Sequence, residues 1–242
     1  FFSLYAPLLG YLNLSLTNFS FYSILVFILV IVIHLLFRGP EFITNKFHNK
    51  LVPSSWNIAL ESSYASINSI VREQIGIRNE IYFPFIYSLF FFILISNLIG
   101  NTPYSFTITT SIILSVGLGF TIFIGVTIIA LFKHGFHFFS FFIPGGTPLG
   151  LVPLLVLIEV ISYLARALSL GVRLFANVMS GHTLLKILST FLYQLFASSF
   201  IVAIFTLIPF AIFTALIGLE IAVSIIQAYV FILLTSSYIK DA

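Results

Sequence analysis

The chain has 242 residues, 60% hydrophobic and 7% charged, with a formal charge of +3, 30 phenylalanines and no cysteine. Soluble domains carry roughly a quarter charged residues, so this composition excludes an ordinary soluble domain and specifies an integral membrane protein. The missing cysteine also excludes disulfides, thiolate catalysis and cysteine-based metal sites.

Hydrocarbon offers the backbone no water, so spans are helices or a closed barrel. Runs such as "FPFIYSLFFFILISNLIG" lack the alternation of barrel strands, and an all-α integral membrane protein is expected. The chain opens on Phe1 and its sole methionine is Met179, so a processed or truncated start is expected. Residues 1–20 mix apolar and polar side chains and read as short structure at a membrane face. Residues 21–37 form an N-terminal transmembrane helix closed by Arg38, followed by the polar stretch "RGPEFITNKFHNKLVPSS". From Trp56 the apolar positions 56, 60, 64, 67, 71 and 75 recur at helical spacing, with Glu61, Arg72 and Glu73 on other faces. This amphipathic helix, 54–77 with Ser54 or Ser55 as N-cap, is too polar to span and is expected to lie at the interface.

Residues 82–132 read as a transmembrane hairpin, 82–99 and 106–132, joined by the uncharged "NTPYS". Pro144, Gly145, Gly146, Pro148 and Pro153 punctuate the next connection. The segment 149–238 reads as two long helices, about 149–187 and 191–238. Nearly forty residues make a helix on the order of 60 Å, twice a hydrocarbon core. Each long segment therefore breaks into two spans or lies steeply tilted. A single membrane domain, 1–242, is expected. Arg38, Lys46, Lys50, Arg72, Arg78 and Lys133 fall on one side if the first three spans each cross once. The positive-inside rule then puts the N-terminus outside and the C-terminal "YIKDA" inside.

Glu159, Arg166, Arg173, His182, Lys186 and Glu220 are ionisable groups within the long segments, with Asn177 and Gln227 as polar neighbours. A charge at the centre of a span costs about 2.5–3.5 kcal/mol on insertion scales, so these groups need a shared reason. Glu159, Arg166 and Arg173 are spaced seven and seven and form one stripe; Asn177 stays near it. His182, nine beyond Arg173, is rotated by about 180° and faces away. Glu220 and Gln227, again seven apart, share a face of the second helix. Such stripes suit a polar path between two helices.

Arginine keeps its charge at accessible pH, so Arg173 can hold a carboxylate on a neighbouring subunit and repel a passing hydronium, but not relay protons. His182 and Glu220 can gain and lose protons. Glu159 and Asp241 fall near the inner side and suit an inner aqueous opening. Plainer readings stand beside these. Lys186 and Arg166 can snorkel, Asn177 and Gln227 can serve only to bond helix to helix, and His34, His134 and His137 suit interface positions. His134 and His137 lack a spaced third ligand, so no metal is expected. Two other function classes fit membrane charges in general. A self-contained secondary transporter would show internal repeats, and a plain membrane anchor would leave the stripes unexplained.

"ARALSLGVRLFANVMSGH", with "LIEVISYL" before it and "GLEIAVSIIQAYVFILL" downstream, closely resembles the signature of subunit a of the F-type ATP synthases, and the resemblance covers essentially the whole chain. It implies that the two long helices lie strongly tilted against a rotating ring of small proteolipid subunits, beside peripheral-stalk and other membrane stator subunits. It implies a proton conduit of two offset half-channels in the mitochondrial inner membrane. Arg173 matches the essential arginine facing the ring carboxylates. His182 and Glu220 match the outer half-channel pair of mitochondrial members, with Asn177 and Gln227 nearby. Glu159 and Asp241 match carboxyls of the matrix half-channel, and Arg166 matches a basic supporting position. No cofactor, nucleotide site or nucleic acid is implied; ATP chemistry lies elsewhere in the complex.

Overall fold

The computed structural model describes residues 2–5, 13–38, 55–102, 105–135, 152–198 and 206–241. Outside them lie the polar stretch 39–54 with Lys46 and Lys50, and the connection 136–151 with His137, Pro144, Gly145, Gly146 and Pro148. The fold is all-α apart from a two-stranded antiparallel ribbon, β1 (Phe2–Tyr5) against β2 (Asn13–Leu16). The helices are α1 (Asn18–Arg38), α2 (Ser55–Gln74), α3 (Phe83–Gly100), α4 (Ile112–His134), α5 (Val152–Ser198) and α6 (Leu207–Asp241). Among the described residues, four segments are long and apolar enough to cross a membrane: Glu80–Gly100, Ile112–His134, Val152–Ala197 and Leu207–Lys240. Asn18–His34 is a shorter apolar helix.

The chain divides into two compact units, Phe1–Ile108 and Thr109–Ala242. In the first, α2 begins at Ser55, so the expected cap Ser54 lies outside the described residues, and the helix ends before Gly76 at φ 92°, a left-handed turn that glycine adopts without strain. A 3-10 turn, Ile77–Tyr82, follows. Arg72 Nε donates to Glu80 Oε1 at 2.9 Å and closes this corner. The buried face of α2 carries Ile67, Ile70 and Val71; Ile70 belongs to it although the spacing omitted it. Tyr64 packs edge-on against Phe83 at 4.6 Å, and Phe83 stacks on Tyr87. His34, expected at an interface, is part-buried. Its Nδ1 donates to the Val30 carbonyl at 2.8 Å and its ring meets Phe91 at 5.1 Å.

In the second unit α4 and α5 are antiparallel neighbours. Thr127 Oγ1 and the Tyr163 hydroxyl lie 3.0 Å apart, and Phe123 meets the Tyr163 ring at 4.8 Å. At the other end of this contact a Cβ on Gly171 would stand 2.6 Å from Val116 Cα and 2.7 Å from the Ser115 carbonyl oxygen. Only glycine lets the two backbones approach so closely.

The long helices differ from expectation at their junction: the second begins at Leu207, not near Phe191, because residues 191–198 belong to the first. The first does not end near Ile187 but runs unbroken to Ser198, 47 residues in all. No proline interrupts 154–198, and Pro209 sits in the first turn of α6, where its missing N–H costs nothing. The alternative in which 149–187 breaks into two spans does not hold: α5, at about 1.5 Å per residue, is on the order of 70 Å long.

Candidate functional site

Polar contacts among the described residues tie α5 to α6, and their order fixes the geometry. His182 Nδ1 lies 3.5 Å from Glu220 Oε1. Asn177 Nδ2 donates to Gln227 Oε1 at 2.9 Å. The Tyr238 hydroxyl donates to the Arg166 carbonyl at 3.4 Å. Stepping back along α5 from 182 to 177 to 166 runs forward along α6 from 220 to 227 to 238, so the helices are antiparallel with one continuous seam. The seven-residue spacing of Glu220 and Gln227 places both on that seam, as expected. Ala228, Phe231, Ile232 and Thr235 continue the buried side of α6, and the Thr235 hydroxyl is satisfied by the Phe231 carbonyl at 2.8 Å.

On α5 the spacing put Asn177 near the arginine stripe and His182 on the opposite side, yet both reach α6. At about 100° per residue the buried Leu174 lies midway between them, so both contacts fall on the side of α5 that Leu174 marks. Arg173 lies off the seam and is exposed. Among the described residues it makes no hydrogen bond or ion pair. Further along its stripe, Arg166 Nη2 stands 4.0 Å from Glu159 Oε1, both half-exposed. Lys186 is exposed. Asp241 is the last residue of α6, and its side chain lies outside the described part.

His182 and Glu220 bring two titratable side chains together on this seam. The Glu220 side chain is 11% exposed and that of His182 29%. Glu220 Oε1 and His182 Nε2 are both buried without a hydrogen-bond partner among the described residues. A titratable oxygen and nitrogen left open in a protein interior invite water. A cleft of about 260 Å³ opens on Glu220 and is lined by the polar Asn177 and Ser180, by Gly181, and by apolar residues including Leu184 and Leu219. Glu220 therefore borders both the imidazole and the cleft, an arrangement suited to passing a proton through the carboxylate.

Two residues escaped the sequence reading. Gly181 lies so close to Glu220 that a Cβ there would stand 2.8 Å from Oε1. Ser180 lines the cleft and falls seven residues after Arg173, extending the 159–166–173 stripe. Gly171 and Gly181 did carry a signal: glycine inside a helix costs about 1 kcal/mol relative to alanine, so two within one long helix call for a close neighbour.

A family model described as ATP synthase A chain matches residues 20–240. The chain is 62% identical over 240 residues to ATP synthase subunit a of Mycosarcoma maydis, covering 99% of this chain and 91% of that one. It is 52% identical over 241 residues to ATP synthase subunit a of Podospora anserina, covering 99% and 88%. The subunit of the same name from Chondrus crispus is 46% identical over 231 residues, covering 95% and 88%.

Proposed function

Because the chain belongs to the ATP synthase A chain family, we propose that it is the proton-conducting stator subunit of the F-type ATP synthase in the mitochondrial inner membrane. It lies against a rotating ring of small proteolipid subunits, beside the peripheral stalk and other membrane stator subunits. The chain acts as one membrane domain with its N-terminus in the intermembrane space and its C-terminus toward the matrix. α2 lies along the interface. α5 and α6 run strongly tilted in the bilayer, which accommodates helices far longer than a core of about 30 Å.

The protein forms two offset half-channels. A proton enters from the intermembrane space, passes His182 and Glu220 with Asn177 and Gln227 holding the helix seam beside them, and neutralises a ring carboxylate. The neutral site then rotates into lipid without the cost of a bare charge. After nearly a full turn it releases its proton toward Glu159 and Asp241, with Arg166 in support, on the matrix side. Arg173 stands between the half-channels. Its permanent charge attracts the ionised ring carboxylate and repels a proton attempting a direct crossing.

The observation that carries this reading is the pairing of His182 with Glu220 beside an open cleft, while the nearby Arg173 points off the seam without a partner among the described residues. Replacing Glu220 with Gln in the assembled synthase tests it. The amide keeps the size but cannot cycle a proton, so proton-driven ATP synthesis and ATP-driven proton pumping both fall while the complex remains assembled. Normal pumping by Glu220→Gln would overturn the relay.

A further inference from the structure

On α6 a polar row runs along the seam and is interrupted once. Glu220, Ser224, Gln227, Phe231, Thr235 and Tyr238 follow at spacings of four, three, four, four and three residues, so they share one helix face. That face is turned to α5: Glu220, Gln227 and Tyr238 make the contacts described above, and Ser224 and Thr235 are buried between them. Phe231 is the single apolar member of the row and is 1% exposed.

Its level along the seam gives it meaning. In the antiparallel register set by Asn177 with Gln227 and by Arg166 with Tyr238, residue 231 of α6 falls level with residue 173 of α5. Here both helices turn dry. Ala228 and Ile232 flank Phe231 at 0% exposed, and the buried side chains of α5 at this level are Leu170 and Leu174. The Thr235 hydroxyl donates to the Phe231 carbonyl and the Ser236 hydroxyl to that of Leu233, each at 2.8 Å, so neither calls for water. From Gln227 to Tyr238 is eleven residues, about 16 Å of helix. Glu220 and His182, with open polar atoms and a cleft, lie toward one end of this stretch, and the Glu159–Arg166 pair lies toward the other.

Arg173 does not close this route. It is exposed and off the seam, so its charge acts on the outer side of α5. An unbroken polar row behind it would hold a chain of waters able to pass protons. We propose that Phe231 is a dry plug that keeps the α5–α6 seam from conducting between the two half-channels. It is a hydrophobic constriction that excludes water, not a charge that repels protons. The inference rests on the half-channels proposed above and divides the barrier in two: Arg173 guards the ring face, Phe231 the interior of this chain.

Phe231→Asn and Phe231→Leu, each in the assembled synthase, test it. The ring carboxylate is replaced by an amide so that no proton can ride the ring, and passive proton leak into reconstituted vesicles is measured per assembled complex. Asparagine makes the row polar throughout and frees space for water, so Phe231→Asn is expected to leak at least about tenfold faster than the same complex with Phe231. Phe231→Leu keeps the row dry and should leak no more than the complex with Phe231, although it too loses packing. Leak by Phe231→Asn at the level of Phe231, or equal leak by the two variants, would overturn the plug. If Phe231→Asn fails to assemble, Phe231→Thr completes the row with a smaller disturbance, and the same outcomes decide. The two readings fail separately. Lost pumping in Glu220→Gln with no added leak in Phe231→Asn removes only the plug, whereas normal pumping by Glu220→Gln removes the relay.

Discussion

Substituting Gly181 with Ala adds one methyl group where the structure leaves no room for it. A Cβ at 181 would stand 2.8 Å from Glu220 Oε1, 3.1 Å from Cδ and 3.3 Å from Cγ, all inside the ordinary contact distance of 3.4 Å. The methyl is fixed to the α5 backbone, so the carboxylate gives way, moving by roughly 1 Å. His182 Nδ1 now lies 3.5 Å from that oxygen. For a charged pair at an effective dielectric of about 20, lengthening the gap by roughly 1 Å removes about 1 kcal/mol of attraction. Carried into the proton-transfer barrier, this slows turnover about fivefold. Helix propensity alone argues the other way, because alanine stabilises a helix interior by about 1 kcal/mol relative to glycine. Gly181→Ala is therefore expected to assemble at least as well as the parent while ATP-driven proton pumping in reconstituted vesicles drops severalfold. Adding Glu220→Asp shortens the crowded side chain, so the double variant should lose less than the product of the two single losses. Parent-like pumping by Gly181→Ala, or strict additivity in the double variant, would refute the steric reasoning.

Two further outcomes follow from contacts in the same unit. Asn177→Leu leaves Gln227, 5% exposed, without its 2.9 Å partner and should cost about 1–3 kcal/mol, seen as a lower melting temperature of the purified complex; Asn177→Leu with Gln227→Leu should regain most of it. Gly171→Val drives a branched side chain into the Ser115–Val116 backbone of α4, where even a Cβ would stand at 2.6 Å, so α4 and α5 cannot close and the subunit should be absent from assembled complexes on native gels.

Much of this architecture could be read from residue order because a bilayer leaves few options. Apolar length and the absence of alternation specified helices, and the elements from α1 to α4 lie within a few residues of their expected bounds. The later end of α5 is not legible because the sequence stays largely apolar from 187 through 205, and neither glycine nor charge marks Ser198. Within the site, the seven-residue spacing of Glu220 and Gln227 was enough to put them on one face. Spacing could not say which side of α5 would meet α6, since that depends on Leu174 and Gly181 rather than on the polar residues. The Asn177–Gln227 bond and the cleft beside Glu220 are products of two helices in register, which no single-helix periodicity contains.

Arg173→Ala in the assembled synthase, with proton-driven ATP synthesis and passive proton leak measured on the same vesicles, tests the central claim most directly. On the proposed path, with Arg173 between two half-channels, loss of its permanent charge should abolish proton-driven synthesis while the complex still assembles, with passive leak unchanged or raised. Synthesis at the parent rate would contradict the role given to Arg173 and, with it, the separation of the two half-channels.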